Sequence, residues 1–460
     1  MTHVFDTAAV LLMLAAAFGL FNHHVLRLPF TIGLMLSALA ASAAVLVLDG
    51  LVPGAGLVGP VRTAVMSIDF HDALMHGMLS FLLFAGALHV EMEDLVEHKV
   101  SVIALASLGL LISTAIIGFA SFGVFQLLGV SIALPYCLVF GALISPTDPI
   151  AVLGIMKAVG APRNLEIKVA GESLFNDGFA VVVFGALLAW ATATGVGHEA
   201  VSHGAAAVGH GAAAVGQGAA AVGHGAAGAG AAAGHGAGLG IGSLVRFFVA
   251  EVGGGIALGL GTGYVIYLAM RHLDEPNLEI LLSMALVMGL TFLAFRLHVS
   301  APLACVVAGL FIGNRGRRLA MSARTRNALD IVWAFIDEML NAILFLLVGL
   351  EIFAVELSRP FILAGFALIP IGLIARWISV WFPTSVLRLD KEPAPGALKV
   401  LTWGGLKGGI SVALALSLPD FEGRGAILTV TYAIVVFSIV FQGLTIGRVV
   451  RGVSVPATHS

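Results

Sequence analysis

Apolar residues run along this chain in about thirteen stretches, taking ~20 residues as one helical crossing of a bilayer. Their limits fall near 5–24, 29–49, 71–90, 100–129, 132–157, 165–195, 243–270, 276–297, 301–314, 328–353, 359–387, 397–418 and 424–448. The ninth is short for a span. The pattern predicts an all-α polytopic membrane protein, with a transmembrane domain over residues 1–453. One stretch interrupts it. Residues 196–242 are Gly, Ala, Val and His, with HGAAAVG starting at His203 and His210 and QGAAAVG at Gln217. The period is seven, but the unit holds two glycines and no large apolar residue, so neither a coiled coil nor a solenoid fits. A flexible, disordered extracytoplasmic loop is predicted there. Metal capture or pH sensing by His198, His203, His210, His224 and His235 are the alternatives.

The basic residues orient the spans. With the N-terminus outside and thirteen crossings, sixteen of the 23 Lys and Arg fall in inner loops or the C-terminus, and five fall outside. That bias follows the positive-inside rule and predicts N-out, C-in in the cell (inner) membrane. Arg376 and Lys407 remain inside predicted helices. Composition agrees, because only 11% of residues are charged against ~25% in a soluble domain. A net charge of −3 gives no reason to expect a nucleic-acid partner. Cys137 and Cys305 both sit in apolar runs, which predicts buried inert thiols and no disulfide scaffold. The N-terminus carries Asp6 and no Lys or Arg before its apolar stretch, so a cleaved signal peptide is not expected.

The chemistry lies in polar residues inside apolar segments. Residues Gly171 to Gly178 read GESLFNDG. A charge at bilayer depth costs at least ~2.5–3.5 kcal/mol, so Glu172 and Asp177 are expected to be used. Ser173 and Asp177 are one helical turn apart and share a face; Glu172 and Asn176 share another, rotated by roughly 100°.

The preceding segment contains Ser145-Pro146-Thr147-Asp148-Pro149. Two prolines there break the helix. Unwound backbone at bilayer depth survives only inside protein or along a cavity, and broken helices are a recurring device for ion sites. Asp148 can neutralise the N-terminus of the following half-helix. Thr147, Asp148, Ser173 and Asp177 together offer hard oxygens, which suit a hard cation and not zinc or copper. Desolvation raises the proton affinity of a carboxylate in general, so one such group can hold a proton or a metal ion in turn.

Arg376 lies mid-span and cannot shed its charge, so it needs an anion; Glu172 is the expected partner in a structural pair. Lys407 sits in WGGLKGG, where the glycines allow close approach or an unwound turn. It is expected to balance the site carboxylates or the ends of the broken helix, or else to snorkel. Asn341 is read as glue between helices.

These residues resemble the monovalent cation:proton antiporters, in the branch of the bacterial NhaP proteins and the animal sodium–proton exchangers. The matching motifs are SPTDPIAVL from Ser145, GESLFNDG from Gly171, VVAGLFIGN from Val306, NAILFLLVGLE from Asn341 and WGGLKGGISVALALSLP from Trp403. The resemblance implies thirteen helices in inverted repeats, a dimerisation bundle, and a core bundle with two crossed discontinuous helices. It implies cation and proton binding at Asp177, with Ser173 and Thr147 coordinating. It implies a Glu172–Arg376 salt bridge and a homodimer. Asn176 stands where electrogenic relatives carry a second Asp, which implies electroneutral exchange. Two positions depart from the pattern: Lys407 replaces an Arg, and Ala85 stands where an acidic residue is common.

The expected activity is secondary antiport of a monovalent cation against H⁺ by alternating access, with both competing for Asp177. Na⁺ is the first choice, with Li⁺ or K⁺ also open and a K⁺-preferring antiporter as the alternative. No cofactor and no enzymatic activity are expected. A cation channel would lack proton coupling. An intramembrane aspartyl protease using Asp148 and Asp177 would need a GxGD pattern that neither aspartate has.

Overall fold

The computed structural model describes residues 2–51, 56, 58–66, 70, 73–193, 241–356, 358–387 and 396–454. Among them every element is a helix, joined by short unwound stretches. In order, α1 is Thr2–Phe21, α2 Phe30–Leu51, α3 Val58–Met66, α4 Leu79–Leu88 and α5 Met92–Glu97. Next come α6 (Lys99–Leu127), α7 (Leu134–Ile144), α8 (Ile150–Val159) and α9 (Arg163–Ala193). The second half holds α10 (Ile241–Met270), α11 (Pro276–Leu297), α12 (Ala301–Phe311), α13 (Ala323–Leu350) and α14 (Arg359–Trp381). The chain ends with α15 (Ala397–Trp403), α16 (Gly409–Leu416) and α17 (Arg424–Val453).

Nine helices among the described residues are long and apolar enough to cross a membrane. The other four predicted segments hold shorter or interrupted helix: α4, the pair α7 and α8, α12, and the pair α15 and α16. The interruptions have local causes. Pro146 and Pro149 donate no backbone N–H, and the helix restarts at Ile150. Between α15 and α16 the chain unwinds over Gly404–Gly408, a stretch held by little side-chain bulk. Of the predicted 196–242 loop, residues 196–240 lie outside the described residues, and Ile241 and Gly242 already belong to α10.

Helices approach closely where glycine faces a neighbour. A Cβ on Gly255 would stand 2.8 Å from the Ser300 carbonyl, and one on Gly309 would stand 2.8 Å from the Phe84 carbonyl. Small residues thus set the α10–α12 and α4–α12 spacing, as in other membrane bundles. Trp333 fills the space between α4, α11 and α13, and its indole N–H donates to Ser283 Oγ at 3.0 Å. Cys137 and Cys305 are buried free thiols. Met13, Val265, Met288 and Phe366 are exposed on α1, α10, α11 and α14, an apolar surface suited to lipid.

Candidate functional site

The two interrupted pairs touch at their breaks. The Asp148 N–H donates to the Leu406 carbonyl at 2.8 Å, a single bridge between unwound strands. The first break leaves two helix ends uncompensated, and each is answered by a charge. Asp148 Oδ1 accepts from the Ile150 N–H at 2.9 Å, placing a carboxylate on the N-terminus of α8. Lys407 Nζ donates to the carbonyls of Ser145 at 2.8 Å and Pro146 at 3.2 Å, at the C-terminal end of α7. Lys407 is buried, so it does not snorkel. Its own backbone N–H donates to Ser438 Oγ at 2.9 Å, which pins the second break to α17.

Helix α9 brings GESLFNDG against these breaks. Thr147 Oγ1 and Ser173 Oγ are 3.1 Å apart and both buried. Asp177, one turn further along, is 7% exposed. It lines a cavity of roughly 510 Å³ whose wall also holds Thr147 and Asp148. At the mouth of this cavity Arg163 donates to Glu91 at 3.0 Å and to Asp94 at 3.2 Å. Beyond Asp177 the packing is solid: Ala180, Phe184 and Leu143 are fully buried in the core.

The other face of α9 serves a different partner. Arg376 donates through both terminal nitrogens to the two carboxylate oxygens of Glu172, the second bond being 2.9 Å. Its Nε and Nη2 also reach the Leu401 carbonyl at 3.1 and 2.9 Å. Both side chains are buried, so the pair ties α9, α14 and α15 together without water. Gly405 lies directly against the guanidinium, with no room for a Cβ.

The motif also offers Asn176 as a candidate binding residue beside Asp177; it does not line the cavity. It follows Glu172 by one turn, on the face rotated away from Ser173 and Asp177. Its Oδ1 is buried without a hydrogen-bond partner among the described residues. Ser173 likewise lies behind the cavity wall, held to it through Thr147. Ala85 is buried with Phe84, Leu88 and Cys305, away from the cavity, while Gly86 and His89 of the same segment line it.

Asp337 and Glu338 also line the cavity, from α13, and sequence reasoning passed over both. The signal was present: a carboxylate inside the apolar run AFIDEMLNAILF carries the same cost as Asp177. Among the described residues Asn341 hydrogen-bonds only within its own helix. It donates to Asp337 Oδ1 on its own helix at 3.1 Å and lines the same cavity.

A family profile described as "Sodium/hydrogen exchanger, transmembrane" matches residues 10–452. The chain belongs to the sodium/hydrogen exchanger family. Within that family it is 42% identical over 455 residues to the Na⁺/H⁺ antiporter NhaP of Pseudomonas aeruginosa, covering 97% of this chain and 96% of that one. It is 34% identical over 438 residues to the Na⁺/H⁺ antiporter NhaG of Bacillus atrophaeus, covering 92% and 74%. The fold is similar to that of the sodium proton antiporter MjNhaP1 of Methanocaldococcus jannaschii, with a TM-score of 0.69 over 98% of this chain and 99% of the other at 15% identity. The exchanger fold is therefore present here with its interrupted helices.

Proposed function

We propose that this exchanger moves Na⁺ one way and H⁺ the other across the membrane, and that both bind at Asp177. It is a secondary transporter and not an enzyme, in keeping with relatives named as Na⁺/H⁺ antiporters along nearly the whole chain. The observation that carries the site assignment is depth. Asp177 lies roughly 21 Å along α9 from Arg163, at ~1.5 Å per residue, yet still lines a cavity with Thr147 and Asp148. A carboxylate at mid-membrane depth with access to one side, and closed packing on the other, is what alternating access requires.

Coupling follows from charge. An ionised Asp177 left empty costs several kcal/mol in a low-dielectric passage, so the empty carrier does not reorient. A proton or a Na⁺ each cancels the same single charge. Thr147 and Ser173 supply neutral oxygens for the metal ion, Thr147 from the wall and Ser173 through it. Asp148 and Lys407 hold the half-helix ends, and Glu172 with Arg376 fixes the orientation of α9. Because Asn176 adds no carboxylate, the exchange is one for one and electroneutral.

We infer the wider arrangement on the same footing. The nine long helices and four interrupted or short segments make thirteen spans in inverted repeats. The crossed breaks belong to a core bundle that moves against a dimerisation bundle in a homodimer. The antiporter domain runs over 1–453, with 196–242 as an extracytoplasmic insertion. The basic-residue bias puts the N-terminus outside and the C-terminus in the cytoplasm, so the cavity mouth at Arg163 faces inward.

Proton flux in proteoliposomes tests the site. Asp177→Asn should abolish exchange with Na⁺, Li⁺ and K⁺ while eluting as folded protein. Activity in that variant would remove Asp177 from the mechanism.

A further inference from the structure

The cavity carries more oxygen ligands than the exchange site uses. Asp337 and Asn341 stand on α13, in the wall that also includes Asp177 and Thr147. Asp337 is half-buried, and one of its oxygens accepts the Asn341 amide at 3.1 Å. Because the Asn341 nitrogen must donate to that carboxylate, its Oδ1 is the acceptor end of the amide. That oxygen is buried, with the residue 1% exposed, and has no hydrogen-bond donor among the described residues. A buried acceptor left without a donor costs ~1–3 kcal/mol, and a cation satisfies it as a donor would.

A purely structural role fits poorly. A hydrogen bond between side chains one turn apart on a helix contributes only ~0.2–0.5 kcal/mol. That does not offset a carboxylate placed inside an apolar span, nor the stranded amide oxygen. The Asp337 carboxylate and the stranded Asn341 oxygen, with a single negative charge, are instead a hard oxygen set in the cavity wall. It suits a partly hydrated monovalent cation that completes its shell with cavity water.

We propose that Asp337 and Asn341 form a second, weaker cation-holding site in the access cavity, from which Na⁺ passes to Asp177. The site rests on the reading of Asp177 as the exchange residue. It collects the cation on the side where Glu91, Asp94 and Arg163 flank the mouth and concentrates it next to the deeper carboxylate. Its charge acts on how readily Na⁺ reaches Asp177 and not on how many charges cross.

Equilibrium binding of radiolabelled Na⁺ to the purified full-length protein separates the two sites. Asp177→Asn should retain weak binding, and Asp177→Asn combined with Asp337→Asn should bind none. In proteoliposomes Asp337→Asn should raise the KM for Na⁺ roughly fivefold or more, the effect of removing one partly solvated charge from the cation's path. The change in maximal rate should be smaller than the change in KM, and Asp337→Glu should restore KM. Asn341→Ala, which keeps the carboxylate and removes the stranded oxygen, should also raise KM. If Asp177→Asn alone eliminates all binding, or if KM is unmoved by Asp337→Asn and Asn341→Ala, the second site is overturned. Continued exchange by Asp177→Asn would instead fail the primary assignment, while the difference between the single and double variants would still report on Asp337.

Discussion

Lys407 Nζ lies 2.8 Å from the carbonyl oxygen of Ser145, so the ammonium from one broken helix closes the end of the other. With Asp148 on the opposite half-helix, the crossing carries a positive charge at a C-terminus and a negative charge at an N-terminus. The two residues compensate two helix ends that the bilayer would leave bare. A Lys suffices here, because the targets are two neighbouring carbonyls and not a planar carboxylate.

Replacing that ammonium should be costly. Lys407→Met leaves two buried carbonyls without a donor, at ~1–3 kcal/mol each. The expected result is a lower midpoint in thermal unfolding of the detergent-solubilised protein, together with lost exchange. Lys407→Arg should recover most of the midpoint. A Lys407→Met protein that melts with the wild type would show that the carbonyls are satisfied in another way.

The Glu172–Arg376 pair predicts an asymmetric failure. Removing either partner strands a buried charge, so Glu172→Ala and Arg376→Ala should each cost ~3–5 kcal/mol. A charge swap, Glu172→Arg with Arg376→Glu, should not rescue folding. Arg376 also donates to the Leu401 carbonyl, and a carboxylate in its place would face that oxygen instead. Size-exclusion profiles of the three variants decide this, and a monodisperse swap variant would count against the contact with Leu401.

Much of this was legible in the sequence because membranes penalise polarity so heavily. The break at Pro146 and Pro149, the two faces of α9, and the need of Arg376 for an anion all follow from single residues in apolar runs. What could not be read was facing. Asn176 belongs to the motif but turns with Glu172, and a few tens of degrees of helix rotation decide whether a residue lines the cavity. Asp337 was visible by the same penalty that singled out Asp177, yet nothing in linear order says that α13 closes the same cavity. The partner of Lys407 was equally hidden, since Ser145 is distant in sequence and offers only its backbone.

Gly408 explains part of the glycine run. A Cβ there would stand 2.5 Å from Asp148 Oδ2, within the crossing itself. Gly408→Ala should therefore displace Asp148 from the α8 N-terminus and shift Thr147 with it. The expected outcome is exchange reduced at least tenfold with the protein still folded, since the clash is confined to one side chain. Gly154→Ala, where nothing lies within 4 Å, is the matched control and should exchange normally. Equal rates in the two variants would show that the crossing tolerates a Cβ.

Electroneutrality is the prediction that separates Asn176 from the binding residues. A membrane potential of ~100 mV acts on one net transported charge with ~2.3 kcal/mol, close to a fiftyfold bias. If Na⁺ and H⁺ each neutralise Asp177 alone, no net charge moves, and exchange in proteoliposomes should run at the same rate with and without an imposed potential. Asn176→Asp should not change this. The new carboxylate would sit on the Glu172 face, outside the cavity and beside a carboxylate that already takes Arg376, so its effect should be lower stability and not a second transported charge. A potential-dependent rate in the wild type would refute one-for-one exchange. A potential-dependent rate appearing only in Asn176→Asp would show that this face turns into the cavity during transport.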